Sequence, residues 1–272
     1  VIKLMIFFFF LNGLIMALKI ENEKIVGTID NLEEKLDGKL PITREELIYL
    51  VNSWGRKFDF YTKASNDQTL IIDICESKEC YDLSKLDVSQ ITNMGNLFTF
   101  SLFDGDVSKW NTSNVTSMVW MFSYAKSFNQ ELNFDTSKVT SMNSMFGYAE
   151  SFNQPLIFDT SNVTSMKEMF YNARVFNQKL NFITSNVTNM KLMFCNAEKF
   201  NQPLNFDTSN VTSMISMFSY AKSFNQPLNF DTSSVTNMEY MFCNAEAFQD
   251  KYNSGKELPY HTNEIKEWIN NN

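Results

Sequence analysis

The side chains that could do chemistry are few, and most recur at one interval. Asp135, Asp159, Asp207 and Asp231 lie 24 residues, or a multiple of 24, apart, with Ile183 in the vacant place. Carboxylates stacked about 5 Å apart would repel one another or share a calcium ion. The competing reading makes each Asp a turn residue that accepts from its own Thr-Ser backbone, and Ile183 shows that one copy works without it. His261 is the only histidine. A Ser-His-Asp or Cys-His arrangement would have to be built around it, in the C-terminal tail. There is no glycine-rich phosphate loop and no Cys/His set with zinc spacing. Cys195 and Cys243 hold the same repeat position two copies apart, about 10 Å, beyond the roughly 7 Å a disulfide allows. Cys75 and Cys80 are close enough to pair across a loop, or stand as two free thiols. The expectation is a protein without catalytic residues, cofactor or metal.

The same interval organises the rest. A 24-residue unit starts at Leu86, Trp110, Phe134, Phe158, Phe182, Phe206 and Phe230. In the Phe134 copy, Val139, Met142, Met145, Phe146 and Ala149 follow at 3- and 4-residue steps, which predicts a short amphipathic helix. Thr140 is its expected N-cap, recurring as Thr92, Thr116, Thr164, Thr188, Thr212 and Thr236. Gln154, Leu156 and Phe158 alternate with Pro155 and Ile157, which predicts a short strand. Proline at 155, 203 and 227 limits that strand to about Leu-Asn-Phe. Asp-Thr-Ser then turns the chain back. A fixed period of this length predicts an α/β solenoid of about seven coils, each a short parallel strand plus a short helix.

The Asn-Gln pairs carry Asn129, Asn153, Asn177, Asn201 and Asn225. They form either a polar stripe for a ligand or an amide ladder bonding one coil to the next. Identical repetition favours the ladder, because it satisfies every buried amide in the same way. Two exposed sets are candidate interaction surfaces. One lies on the expected helix exterior, where Trp120 stands in one column and Tyr124, Tyr148 and Tyr220 in another. The other is the strand face with Asn133, Asn181, Asn205 and Asn229, preferred because solenoid curvature makes a sheet side concave. Asn-x-Ser/Thr sequons at Asn111, Asn114, Asn162, Asn186 and Asn210 follow mechanically from the repeat.

Four regions result. Residues 1–18 are a short basic start and an apolar run, read as a signal or anchor, or as an over-extended frame whose true start is Met5 or Met16. Residues 19–85 are an N-terminal capping region. It contains a helix from a Thr43-x-x-Glu46 capping box, with Leu47, Leu50, Val51 and Trp54 on one face and Gly55 ending it, and a strand at Thr69–Cys75. Residues 86–253 are the repeats. Residues 254–272 are a C-terminal cap with a helix over 262–268. Hydrophobic content is 44% and net charge −8, enough for a core and against binding to nucleic acid through phosphate contacts.

The unit Asp-Thr-Ser-x-Val-Thr-x-Met-x-x-Met-Phe-x-x-Ala-x-x-Phe-Asn-Gln-x-Leu resembles the repeat of the BspA-like leucine-rich-repeat surface proteins, a type also known from mycoplasma surface lipoproteins, protists and large DNA viruses. The match covers Trp110 to Ala247 and is looser over Leu86 to Lys109. The resemblance implies a leucine-rich-repeat-like solenoid with a helical N-terminal cap. It also implies a role in adhesion or host contact, at the cell surface or secreted; a start at Met16 would make the protein cytoplasmic. Two features depart from that family: Phe replaces Trp at the first position of most copies, and no cysteine follows the leader for lipid attachment. The expected function is a non-enzymatic module binding a protein or glycan, with membrane contact only through the leader. The rival readings are a spacer or coat component without a ligand and an enzyme with its site in 19–85.

Overall fold

The computed structural model describes residues 6–11, 14–21, 24–25, 31–53, 82–254 and 258–271. Trp54, Gly55, the Thr69–Cys75 strand and any pairing of Cys75 with Cys80 lie outside the described residues. At the N-terminus β1 (Ile6–Leu11) runs antiparallel to β2 (Leu14–Glu21), from Ile6 opposite Lys19 to Leu11 opposite Leu14. β2 then pairs with β3 (Lys24–Ile25). The sequence between β1 and β2 is Asn12-Gly13, the dipeptide favoured in two-residue hairpin loops.

Two helices follow, α1 (Leu32–Leu36) and α2 (Arg44–Ser53). The capping box is formed: Thr43 N–H donates to Glu46 Oε2 at 3.0 Å, and Glu46 N–H to Thr43 Oγ1 at 3.3 Å. Gly38 sits at φ 72°, where a Cβ would meet the Lys85 carbonyl oxygen at 2.4 Å, so only glycine lets the chain pass there. Leu47, Leu50 and Val51 are buried in the one hydrophobic core that continues through the repeats. Pro41 bridges Asp87 in parallel, and Ile42 N–H donates to the Asp87 carbonyl. The Arg44 guanidinium donates to the carbonyls of Asn93 (3.0 Å) and Gly95 (2.7 Å). Carbonyls on the first repeat have no preceding repeat to bond them; Arg44 supplies the donors.

The expected leucine-rich-repeat-like α/β solenoid, with a strand and a helix in each coil, is overturned. Residues 82–245 contain no helix and no strand; they are turns joined by isolated parallel bridges. The bridges run Asn93–Ser117–Ser141–Ser165–Asn189–Ser213–Asn237, each step 24 residues. The apolar stripe is buried as a stripe, with Val139, Met142, Met145, Phe146 and Ala149 all at zero exposure, but the backbone beneath it is not helical. Met145, Gly147 and Ala149 donate to the carbonyls of Met142, Ser144 and Phe146, each closing a four-residue turn. The N–H groups that alternate with them, on Ser144, Phe146 and Tyr148, donate instead to the carbonyls of Lys167, Met169 and Tyr171 in the next repeat. Ser144 and Tyr148 adopt φ 51° and 58°, which a right-handed helix forbids.

Spacing explains the choice. Neighbouring helices need about 8–10 Å between axes. The Phe rings of successive repeats stack far closer, 5.7 Å for Phe122–Phe146 and 5.8 Å for Phe146–Phe170. A helix in each repeat would push the stack apart; a chain of turns lets the backbone bond directly across it. The strand fails for the complementary reason. Exposure alternates strictly from Glu131 to Thr136, as in an extended segment, yet the only bridge on this edge among the described residues joins Leu132 to Leu156.

Thr140 is likewise not an N-cap. Its backbone N–H (3.0 Å) and its Oγ1 (3.4 Å) both face the carbonyl of Thr116, and Thr164, Thr188, Thr212 and Thr236 repeat this one unit at a time. The C-terminal end is closed by α3 (Glu246–Asn253) and α4 (Thr262–Asn271). Phe248 and Ile265 are buried there, and Trp268 sets its ring edgewise to Phe242 and Phe248. Met238 N–H donates to Thr262 Oγ1 and Tyr240 N–H to the Tyr260 carbonyl, where another repeat would have accepted them.

Candidate interaction surfaces

The turn edge is built from two residues per repeat held at positive φ. One column runs Asn96, Trp120, Ser144, Glu168, Leu192, Ser216 and Tyr240; the other runs Phe100, Tyr124, Tyr148, Asn172, Asn196, Tyr220 and Asn244. These are the two columns that sequence spacing assigned to a helix exterior. None holds Val, Ile or Thr, whose branched Cβ is hardest to accommodate in the left-handed region. Phe100 stacks on Tyr124 at 4.5 Å and Tyr124 on Tyr148 at 4.1 Å, and Tyr171 closes the row edgewise at 5.1 Å. Burial, and then a hydrogen bond with Tyr148, pushes the Tyr124 hydroxyl up to about 12. The hydrogen bond with Tyr148, and then burial, does the same for Tyr171, up to about 12. Beyond this row, Asn196 Nδ2 donates to Asn172 Oδ1. Trp120 and Tyr220 are exposed, and neither has a ring partner among the described residues. Phe100 and Tyr171 join this edge unforeseen; Tyr171 stands outside both sequence columns.

The extended edge carries Asn133, Asn181, Asn205 and Asn229, all exposed and 24 or 48 residues apart. They lie in one column, one side chain per repeat. The reason for preferring this face, the concavity of a sheet side, falls away because no sheet forms here.

The Asn-Gln pairs form a continuous amide ladder. Asn129 Oδ1 accepts from Asn153 N–H at 2.9 Å, Asn153 Oδ1 from Asn177, Asn177 Oδ1 from Asn201, and Asn201 Oδ1 from Asn225. Each Gln Nε2 donates back to the same Asn; Gln154, for one, reaches the Asn129 carbonyl at 3.0 Å. Asp104 starts the ladder, its Oδ1 accepting from Asn129 N–H and Gln130 Nε2. Lys251 Nζ and Tyr252 OH end it on the Asn225 carbonyl. The repeat pattern hides Asp104, which is displaced by one residue from the 24-residue register. A second column, also unforeseen, is buried: Thr112, Thr136, Thr160, Thr184 and Thr208 each donate Oγ1 to the carbonyl 23 residues ahead.

The Asp column is a set of turns. Asp135, Asp159, Asp207 and Asp231 accept through Oδ1 from the N–H of Ser137, Ser161, Ser209 and Ser233. Those serine hydrogen bonds hold the four carboxyls below the ordinary aspartate range. Among the described residues no three His, Cys, Asp or Glu side chains are grouped to hold a metal. Cys195 and Cys243 are free thiols, and burial pushes the Cys195 thiol up to about 12.

These features define a repeat protein whose 24-residue units bond one to the next through backbone, Thr and Asn. The chain belongs to the family described as Mycoplasma protein of unknown function, DUF285, which matches residues 69–183 and again 157–255. No curated protein and no solved structure matches it.

Proposed function

We propose that the protein is a non-enzymatic recognition module that binds a partner protein through its turn edge. The observation behind this reading is the choice of residue at the left-handed positions. A side chain there costs about 1 kcal/mol relative to glycine, and asparagine tolerates the region best among the others. Asn and Ser fill six of the fourteen places, but Trp120, Tyr124, Tyr148 and Tyr220 are among the large residues at the rest. Stacking offsets the cost for Tyr124 and Tyr148. Trp120 and Tyr220 have no such compensation, and exposed Trp and Tyr are the residues that dominate protein contacts. A role at a cell surface, and kinship with the BspA-like leucine-rich-repeat surface proteins, belong to the same proposal. Among the described residues no helix is long and apolar enough to cross a membrane, so attachment is assigned to no described helix.

The test is a double variant, Trp120→Asn with Tyr220→Asn, set beside the unaltered protein on an array of extracellular proteins and glycans. Selective capture of a protein, lost in a variant whose melting temperature is equal or higher, supports the reading. Equal capture by both overturns it by moving the contact off the turn edge, and capture of nothing overturns it in favour of a spacer; capture of glycans alone replaces the protein partner with a sugar.

A further inference from the structure

One column of the repeat is charged in six consecutive units, and its sign alternates. It runs Lys126, Glu150, Arg174, Glu198, Lys222 and Glu246, each 24 residues from the last. No other column carries a charge in six consecutive units. All six residues are exposed or half-exposed, and they stand two residues past the second left-handed column. Phe ring planes tilt by only 1–6° between successive repeats from Phe122 to Phe242, so the stack bends little and the charges stay in one row.

Within the chain these charges are paired only in part. Lys126 Nζ meets Glu150 Oε1 at 3.1 Å, and Arg174 Nε meets Glu198 Oε1 at 3.8 Å. Lys222 and Glu246 make no ion pair among the described residues. The row is complementary to its own reverse: read from Glu246 back to Lys126, every sign is the opposite of the forward reading. A second copy can lie antiparallel about a two-fold axis that crosses the row between Arg174 and Glu198. Lys126 then faces Glu246, Glu150 faces Lys222 and Arg174 faces Glu198, and symmetry makes each pair twice. A slip of one repeat sets like charges together, with Lys126 on Lys222, Glu150 on Glu198 and Arg174 on its own copy.

The flanking columns tolerate this pairing. The column from Tyr124 to Asn244 carries no charge over those six repeats. On the other flank Val175, 41% exposed, comes opposite Lys199, whose methylene stem can cover it. The six charges of the row sum to zero on a chain of net charge −8, so two acidic chains meet here without repulsion between the facing rows.

We propose that this row is the contact through which two copies of the chain form an antiparallel, two-fold dimer. One exposed ion pair supplies little affinity; six facing pairs set the partner, its direction and its register. The second copy gives Lys222 and Glu246 the opposite charges that their own chain does not. This contact goes beyond the turn-edge reading and does not rest on it.

The experiment is sedimentation equilibrium of the full chain and of two charge reversals, Arg174→Glu and Glu198→Arg. Each reversal alone sets like charges face to face at the two-fold axis. Mixed one to one, the two variants oppose unlike charges again. The expected result is a dimer of the full chain that weakens as salt rises, at least about tenfold weaker association in either variant alone, and recovery in the mixture. Lys222→Glu breaks no ion pair within the chain, sets a carboxylate against Glu150 and should weaken the dimer about as much. It serves where either reversal at the axis unfolds the stack, as a thermal melt shows. A full chain that stays monomeric up to about 100 µM at low salt, a dimer indifferent to the reversals, or a mixture no tighter than its components overturns the proposal. Assemblies larger than a dimer overturn it too, by showing a staggered contact that does not close. Trp120 and Tyr220 are unchanged in every variant, so this contact and the turn-edge reading can fail separately.

Discussion

At the scale of the residue, the fold turns on φ. The two left-handed residues in each repeat let every second N–H point to the next repeat. They also explain why sequence spacing misled. Met142, Met145, Phe146 and Ala149 are buried at the 3- and 4-residue steps of a helix, and a run of turns closed by bonds three residues back gives the same steps. The usual signal of positive φ is glycine, and none of the fourteen positions carries it. What was legible was the composition of the core; what was not was the sign of one dihedral at Ser144 and Tyr148. The missing β-branched residues are the trace it leaves, and they yield a prediction. Leu192, at φ 58°, changed to Val should lose about 1 kcal/mol or more, because the branched Cβ crowds the backbone in this region. Leu192→Asn should be neutral or stabilising. Urea denaturation of both variants measures the difference, and equal midpoints would mean that position 192 is not left-handed.

At the scale of the element, the working parts are columns rather than helices or strands. Asn129 to Asn225, Thr116 to Thr236 and Thr112 to Thr208 are each one residue type making one bond many times. The Asn column could be read from the sequence because an amide repeated without variation has a backbone to satisfy. The Thr columns were misassigned as caps and turn residues, because a hydroxyl that bonds the next repeat and one that caps a helix leave the same letter. The caps divide similarly. The Thr43–Glu46 box and the 262–268 helix are local patterns visible in sequence, whereas Arg44 reaching Asn93 and Gly95 spans about 50 residues and leaves no local sign. The ladder makes a selective prediction. Asn177 contributes an acceptor, its Oδ1 taking the N–H of Asn201 and Nε2 of Gln202. Asn177→Ala leaves those donors unpaired and should cost about 1–3 kcal/mol. Asn177→Asp keeps the acceptor, as Asp104 does at the head of the ladder, and should cost well under half as much. Thermal melts of the two variants decide it; equal losses would show that the ladder contributes through packing and not through its acceptor.

At the scale of the whole molecule, the repeat is a statement about register. Residue i bonds near i+24 along the Thr column, the Asn ladder and the turn edge, so each unit is held by its neighbours and the ends need Arg44, α2, α3 and α4 to stop the pattern. The turn edge depends on that register, which lines up its left-handed side chains. The period was plain in the sequence from the start, but a period fixes only which residues meet, not the backbone that joins them. The α/β solenoid failed on that second question, since rings stacked 5.6–6.0 Å apart leave no room for a helix in every repeat. The most direct test is a through-hydrogen-bond coupling measurement by NMR on the isotope-labelled protein, observing the Phe170 N–H. The account predicts a correlation from Phe170 N–H to the carbonyl carbon of Met193, its acceptor in the next repeat at 2.9 Å. A correlation to the carbonyl of Met166, four residues back, would show a helix in its place and contradict the account.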